Sequence, residues 1–134
     1  MTEPSPPTRE QLLRDLGYSE RSIRYIMDGQ NLAASPAFAW QMAHVGSCGD
    51  MLKLYLDVED DHIRKATFEL TGCAGLQACA SGLTTMIEGK TLEEAGRIEV
   101  DDIVGFLGGI PEAKWDCAEL ARDTLRKALK QAAE

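Results

Sequence analysis

Leu52, Leu54, Leu56 and Val58 alternate with Lys53, Tyr55 and Asp57. After the polar stretch Glu59-Asp60-Asp61-His62 the alternation resumes, with Ala66, Phe68 and Leu70 set against Thr67 and Glu69. A period of two is that of a strand with one buried face. Two such runs joined by a short polar turn have one simple solution, an antiparallel hairpin. This constrains more than the strands. Residues that enter the first strand of a hairpin lie beside those that leave the second. Cys48 and Asp50 enter the first strand and Cys73 leaves the second. Pairing geometry therefore predicts that Cys48, Asp50 and Cys73 share one edge of the sheet.

Helical signals flank the hairpin. Thr8 to Leu16 reads as a short helix ended by Gly17. Ser19 reads as an N-cap, with Ile23 and Ile26 on one face of a helix that runs to about Asp28, before Gly29. Asn31 to Gly46, which holds Trp40, fits a loop with a short strand or helix. Ala74 to Glu88 is a predicted helix with Leu76, Leu83 and Ile87 inward. Thr91 and Glu94 fit a capping box, and Asp101 to Leu107 a further helix stopped by Gly108-Gly109. Ile110-Pro111 opens an extended link to a last helix over about Cys117 to Gln131, with Leu120, Leu125 and Leu129 inward. No internal repeat or second domain is visible, so residues 1–134 read as one domain, with a Pro- and Ser-rich, disordered Met1 to Pro7.

The chain is 44% hydrophobic and 27% charged, enough for its own core, with a formal net charge of −8. That charge repels phosphate backbones and anionic membranes, which argues against nucleic acid as a partner. No stretch is apolar for long enough to span a bilayer, and no N-terminal run has the layout of a secretory signal. The expected location is the cytoplasm, where thiols are kept reduced and disulfides are rare.

Three of the four cysteines stand at junctions between elements. Cys73 follows Gly72 at a helix start, and Cys117 has the same setting in the last helix. Backbone N–H groups and the helix dipole stabilise a thiolate there. Three thiolates and the Asp50 carboxylate would supply the four ligands of zinc or of a small iron–sulfur cluster. Asp50 reads equally as a turn residue. Cys79 lies on the same helix as Cys73 but about 120° around it and about 9 Å along it, beside Leu76 and Leu83, so it is read as core. Asp116 is either an acidic cap completed by Glu119 or a further metal ligand or proton relay. His62 belongs to the hairpin turn, at the far end from the site. His44, four residues before Cys48, reads as a loop residue that reaches the site only if the loop folds back. Trp115 either shields the site from water or packs the last helix.

These motifs resemble those of the iron–sulfur cluster scaffold proteins of the IscU type, also found as the N-terminal part of NifU. Cys48-Gly49-Asp50 looks like their first ligand motif, and Thr71-Gly72-Cys73-Ala74 like their Gly-Cys motif. Gly89-Lys90-Thr91-Leu92-Glu93-Glu94-Ala95 and Pro111-Glu112-Ala113-Lys114-Trp115-Asp116-Cys117 look like two further family segments, and Tyr18-Ser19-Glu20 to Asn31 like the N-terminal helix. The resemblance spans Tyr18 to the C-terminus. It implies an α+β fold, a small antiparallel sheet covered by helices. It implies a non-catalytic scaffold for transient assembly and transfer of a [2Fe–2S] cluster, with sulfur from a cysteine desulfurase and delivery to recipient apoproteins or a carrier. Cys48, Asp50, Cys73 and Cys117 would hold the cluster, with Asp50 keeping it labile, and zinc would sit there in its absence. Two departures stand out. The family commonly has His where this chain has Asp116, which would add negative charge at the metal. Its chaperone-recognition segment is only partly kept, as Ile110-Pro111-Glu112-Ala113-Lys114, which leaves recognition by an Hsp70-type chaperone open.

The leading expectation is therefore a scaffold that takes sulfur first on Cys117, pictured on an exposed link. The alternative is a zinc-dependent sulfur acceptor resembling the SufU branch, whose longer insertion before the final cysteine is missing here. A module with a purely structural zinc is the third reading.

Overall fold

The computed structural model describes residues 5–46 and 49–132. Residues 1–4 of the expected disordered tail, and Cys48, lie outside that set.

Three strands, β1 (Trp40–Val45), β2 (Met51–Glu59) and β3 (His62–Thr71), form an antiparallel sheet in the order β1-β2-β3. The hairpin has the predicted pairing, with Leu52 opposite Leu70, Leu54 opposite Phe68 and Leu56 opposite Ala66. Asp60 and Asp61 make its tight turn, both with positive φ, 52° and 60°. That conformation matches the twist of the strands it joins. The segment read as loop, strand or helix supplies β1, in which Met42 faces Leu54 and His44 faces Leu52. On β3's outer side, the Phe68 N–H donates to Asn31 O and the Ala33 N–H to Phe68 O, each at 3.0 Å.

Among the described residues six helices accompany the sheet: α1 (Arg9–Asp15), α2 (Glu20–Asp28), α3 (Ala74–Ile87), α4 (Leu92–Gly96), α5 (Val100–Leu107) and α6 (Trp115–Ala132). The expected α+β fold is the one observed. Thr8 caps α1, Ser19 caps α2, and Thr91 with Glu94 forms the predicted capping box of α4. Leu52, Leu54, Leu56, Ala66 and Phe68 are fully buried on the helix-covered face. Lys53, Tyr55, Thr67 and Glu69 occupy the other face, where the Tyr55 hydroxyl donates to Glu69.

Leu76, Cys79, Leu83 and Ile87 of α3 are buried as expected, and Ala78 and Ala80 join them. It is the central helix, and its buried Ser81 and Thr84 hydroxyls donate to Gln30 O and Ala80 O. One expectation needs correction: α6 begins at Trp115 rather than at Cys117. A short 3-10 turn, Glu112–Lys114, runs directly into it, with the Lys114 N–H donating to Pro111 O at 2.8 Å. Asp116 is thus the second residue of the helix and not its cap.

Candidate metal centre

Cys73 is the N-cap of α3, in an extended conformation, and makes no side-chain capping bond. Its thiol is left for other partners, beside the first N–H groups of a fourteen-residue helix. Cys117 projects from the first turn of α6, and its Sγ lies 3.6 Å from Cys73 Sγ. Asp50 immediately precedes β2, and the register places Met51 opposite Thr71. Hairpin closure thus brings Asp50 alongside the chain leaving β3, as expected. One carboxylate oxygen of Asp50 and the two sulfurs all lie within 4.8 Å of one another. Gly72 makes room for this arrangement. A Cβ there would fall 3.0 Å from Asp50 Cγ and 3.1 Å from Asp50 Oδ2.

The spacing fits one shared metal. Two sulfurs bound tetrahedrally to zinc at about 2.3 Å are about 3.8 Å apart, close to the 3.6 Å observed here. Thiolate suits zinc and iron, and the carboxylate adds a harder donor to the set.

Cys117 is buried, 4% exposed, and does not lie on an exposed link as expected. The cause is the early start of α6, which turns this residue inward against α3. Burial pushes the Cys117 thiol up, followed by the negative charge of Cys73 and the hydrogen bond between them. A cation at this point would reverse that preference, because a coordinating thiol gives up its proton. Tyr18, 5% exposed, is pushed up to about 12, first by burial and then by the charges of Cys73, Cys117 and Cys79.

A cleft of about 200 Å³ opens beside the donors, lined by His44, Asp50, Asp116, Cys117, Glu119 and Asp123 among others. Asp116 is exposed on its rim and is not among the atoms within 4.8 Å of one another. Trp115, the first residue of α6, is 40% exposed. Cys79 is fully buried within α3, as expected of core, and burial pushes its thiol up to about 12. His62 sits at the hairpin turn, bonded through Nδ1 to Asp60 O at 2.8 Å. His44 was underrated by sequence reasoning. It lies on β1 rather than in a loop, and its Nδ1 is 2.7 Å from Lys127 Nζ. The signal available was its position just before Cys48, which gains weight only once β1 is known to pair with β2.

Known proteins with similar chains share this fold. The chain is 43% identical over 82 residues to the iron–sulfur cluster assembly scaffold protein IscU 1 of Archaeoglobus fulgidus, an alignment covering 61% of this chain and 54% of that protein. It is 35% identical over 121 residues to the nitrogen fixation protein NifU of a Nostoc species, covering 84% of this chain and 40% of that one. It therefore spans about half the length of these curated relatives. A crystal structure described as an iron–sulfur cluster assembly scaffold protein for the SUF system, from Fervidobacterium islandicum, superposes with a TM-score of 0.68 at 25% identity, covering 84% of this chain and 96% of that one. The NifU-like N terminal domain matches residues 18–133, and the chain belongs to that family.

Proposed function

We propose that this protein is a non-catalytic scaffold on which an iron–sulfur cluster is assembled and then passed on. The observation that carries the reading is the meeting of Asp50, Cys73 and Cys117 within 4.8 Å, in a chain of this family. The Archaeoglobus relative is named as an iron–sulfur cluster assembly scaffold protein. Cys48 is proposed as the third thiolate. It stands two residues before Asp50, so its Cα lies within about 7 Å of that residue's. Cys48, Asp50, Cys73 and Cys117 then hold a [2Fe–2S] cargo, with Asp116 on the rim as a further carboxylate. A hard carboxylate among thiolates makes a cargo easier to release than four thiolates would.

Sulfur comes from a cysteine desulfurase, and the finished cluster goes to a recipient apoprotein or carrier in the cytoplasm. Neither nucleic acid nor a membrane takes part. Among the described residues no helix is long and apolar enough to cross a membrane. Because Cys117 is buried, incoming sulfur reaches it through the cleft it lines. Zinc satisfies the same donors when no cluster is present. The spacing of Cys73 and Cys117 therefore also supports a second reading, a zinc-held sulfur acceptor of the SufU type.

The test is anaerobic incubation with a cysteine desulfurase, cysteine and ferrous iron, followed by metal and acid-labile sulfide analysis. Iron and sulfide are expected in equal amounts. They should be lost in Cys48→Ser, Cys73→Ser and Cys117→Ser and retained in Cys79→Ser. A full yield in Cys117→Ser refutes the scaffold site. Zinc that persists without sulfide while desulfurase turnover rises would establish the sulfur-acceptor reading instead.

A further inference from the structure

Asp116, Glu119, Asp123 and Lys127 recur along α6 at steps of three and four residues, and so share one face of the helix. The three carboxylates line the cleft. Lys127 ends the row, and its Nζ meets His44 Nδ1 at 2.7 Å. An ammonium can only donate a hydrogen bond, so Nδ1 is the acceptor. A neutral imidazole with a free lone pair on Nδ1 carries its proton on Nε2. Nε2, the other ring nitrogen of this cleft-lining residue, is therefore a hydrogen-bond donor.

The rest of that cleft is short of donors. Among the described residues its titratable lining is otherwise Asp50, Asp116, Cys117, Glu119 and Asp123, with no lysine or arginine. An iron–sulfide cargo held by three thiolates and a carboxylate is itself an anion. Such a group gains from a positioned N–H and a nearby cation, as hydrogen bonds to cluster sulfurs show through their effect on potential.

We propose that His44, oriented by Lys127, is a positioning residue for the anionic cargo, its Nε2–H donating to a sulfur of the cluster or of a thiolate that holds it. The proposal rests on the scaffold reading above. Lys127 fixes the tautomer and offsets part of the carboxylate charge.

The test compares the wild-type protein with H44A, H44Q and K127M, each loaded anaerobically to equal iron and sulfide. The midpoint potential is measured, together with the rate at which the visible absorption is lost to bathophenanthroline, a ferrous chelator. H44A should lose its cluster about tenfold faster, the effect of removing one hydrogen bond to a charged group, and its potential should move to more negative values. H44Q, which keeps an N–H donor, should recover to within about threefold of wild type. K127M should shift in the same direction as H44A. Potentials and loss rates equal to wild type in H44A would overturn the proposal. So would equal defects in H44A and H44Q accompanied by a lower melting point of both metal-free proteins, because a plain strand-to-helix clasp predicts that result. A wild-type protein that takes up no iron and sulfide refutes the scaffold reading itself, a result distinct from either of these.

Discussion

Gly72→Ala should disturb the metal centre through a single added methyl group. Gly72 does not have the positive φ that would strain an alanine, so the effect is steric. The new Cβ would lie 3.0 Å from both Asp50 Cγ and Leu76 Cδ2, and 3.1 Å from Asp50 Oδ2. Carbon atoms rest at about 3.5–4.0 Å, so something must retreat by about 0.5–1 Å. Leu76 is fully buried and cannot retreat, whereas Asp50 is only half-buried. The carboxylate therefore moves away from Cys73 and Cys117. Overpacking of this kind costs about 1–3 kcal/mol, and a displaced ligand should weaken zinc about tenfold. The stability part is read by urea denaturation of the metal-free protein, and the affinity by competition with a chromophoric chelator. A double-mutant cycle isolates the cause. In an Asp50→Ala background two of the three obstructing atoms are gone, so Gly72→Ala should cost at least about 0.5 kcal/mol less than in wild type. Strictly additive costs, or an unchanged zinc affinity in Gly72→Ala, would refute the reasoning.

Two further outcomes follow from the fold. Cys79 keeps its proton up to about 12, from burial first and the charge of Cys73 second, whereas in the unfolded chain it ionises near the ordinary cysteine value. Between those limits the unfolded state binds fewer protons, so stability falls as pH rises, by about 1 kcal/mol per pH unit. Denaturation midpoints from pH 8 to 11 should show this decline, and Cys79→Ala should reduce its slope, the remainder coming from Cys117 and Tyr18; an equal slope in the variant would count against the assignment. Asp61→Gly relieves an L-residue held at φ 60° in the hairpin turn. It should raise stability by about 0.5 kcal/mol net of the entropy that glycine adds to the unfolded chain. A lower thermal midpoint would contradict that.

The sheet core was legible because Leu52 to Val58 and Ala66 to Leu70 alternate without interruption, and one register buries them. That register also placed Asp50 beside Cys73. The edge strand β1 was not legible, since its residues are half-buried or exposed along both faces and show no alternation to read. The place of His44 on the cleft wall, facing Lys127, stayed hidden with it. The start of α6 was misplaced for a different reason. Asp116 and Glu119 have the spacing of a capping box, but Pro111 opens a 3-10 turn that reaches helical geometry before Asp116 arrives. The inward turn of Cys117 follows from those two residues of difference. In α3, small residues such as Ala78 and Ala80 gave no stripe, yet they allow close approach on every side. Gly82, where a Cβ would fall 2.9 Å from Leu107, has the same effect toward α5.

The three described donors come from three separate stretches of chain: the approach to β2, the exit from β3 and the first turn of α6. In an unfolded chain they have no reason to be near one another, so whatever binds them senses whether the tertiary structure is complete. The converse holds as well. Displacing any one of these stretches withdraws a described donor, so the grip on a bound ion belongs to the whole tertiary arrangement and not to a single segment.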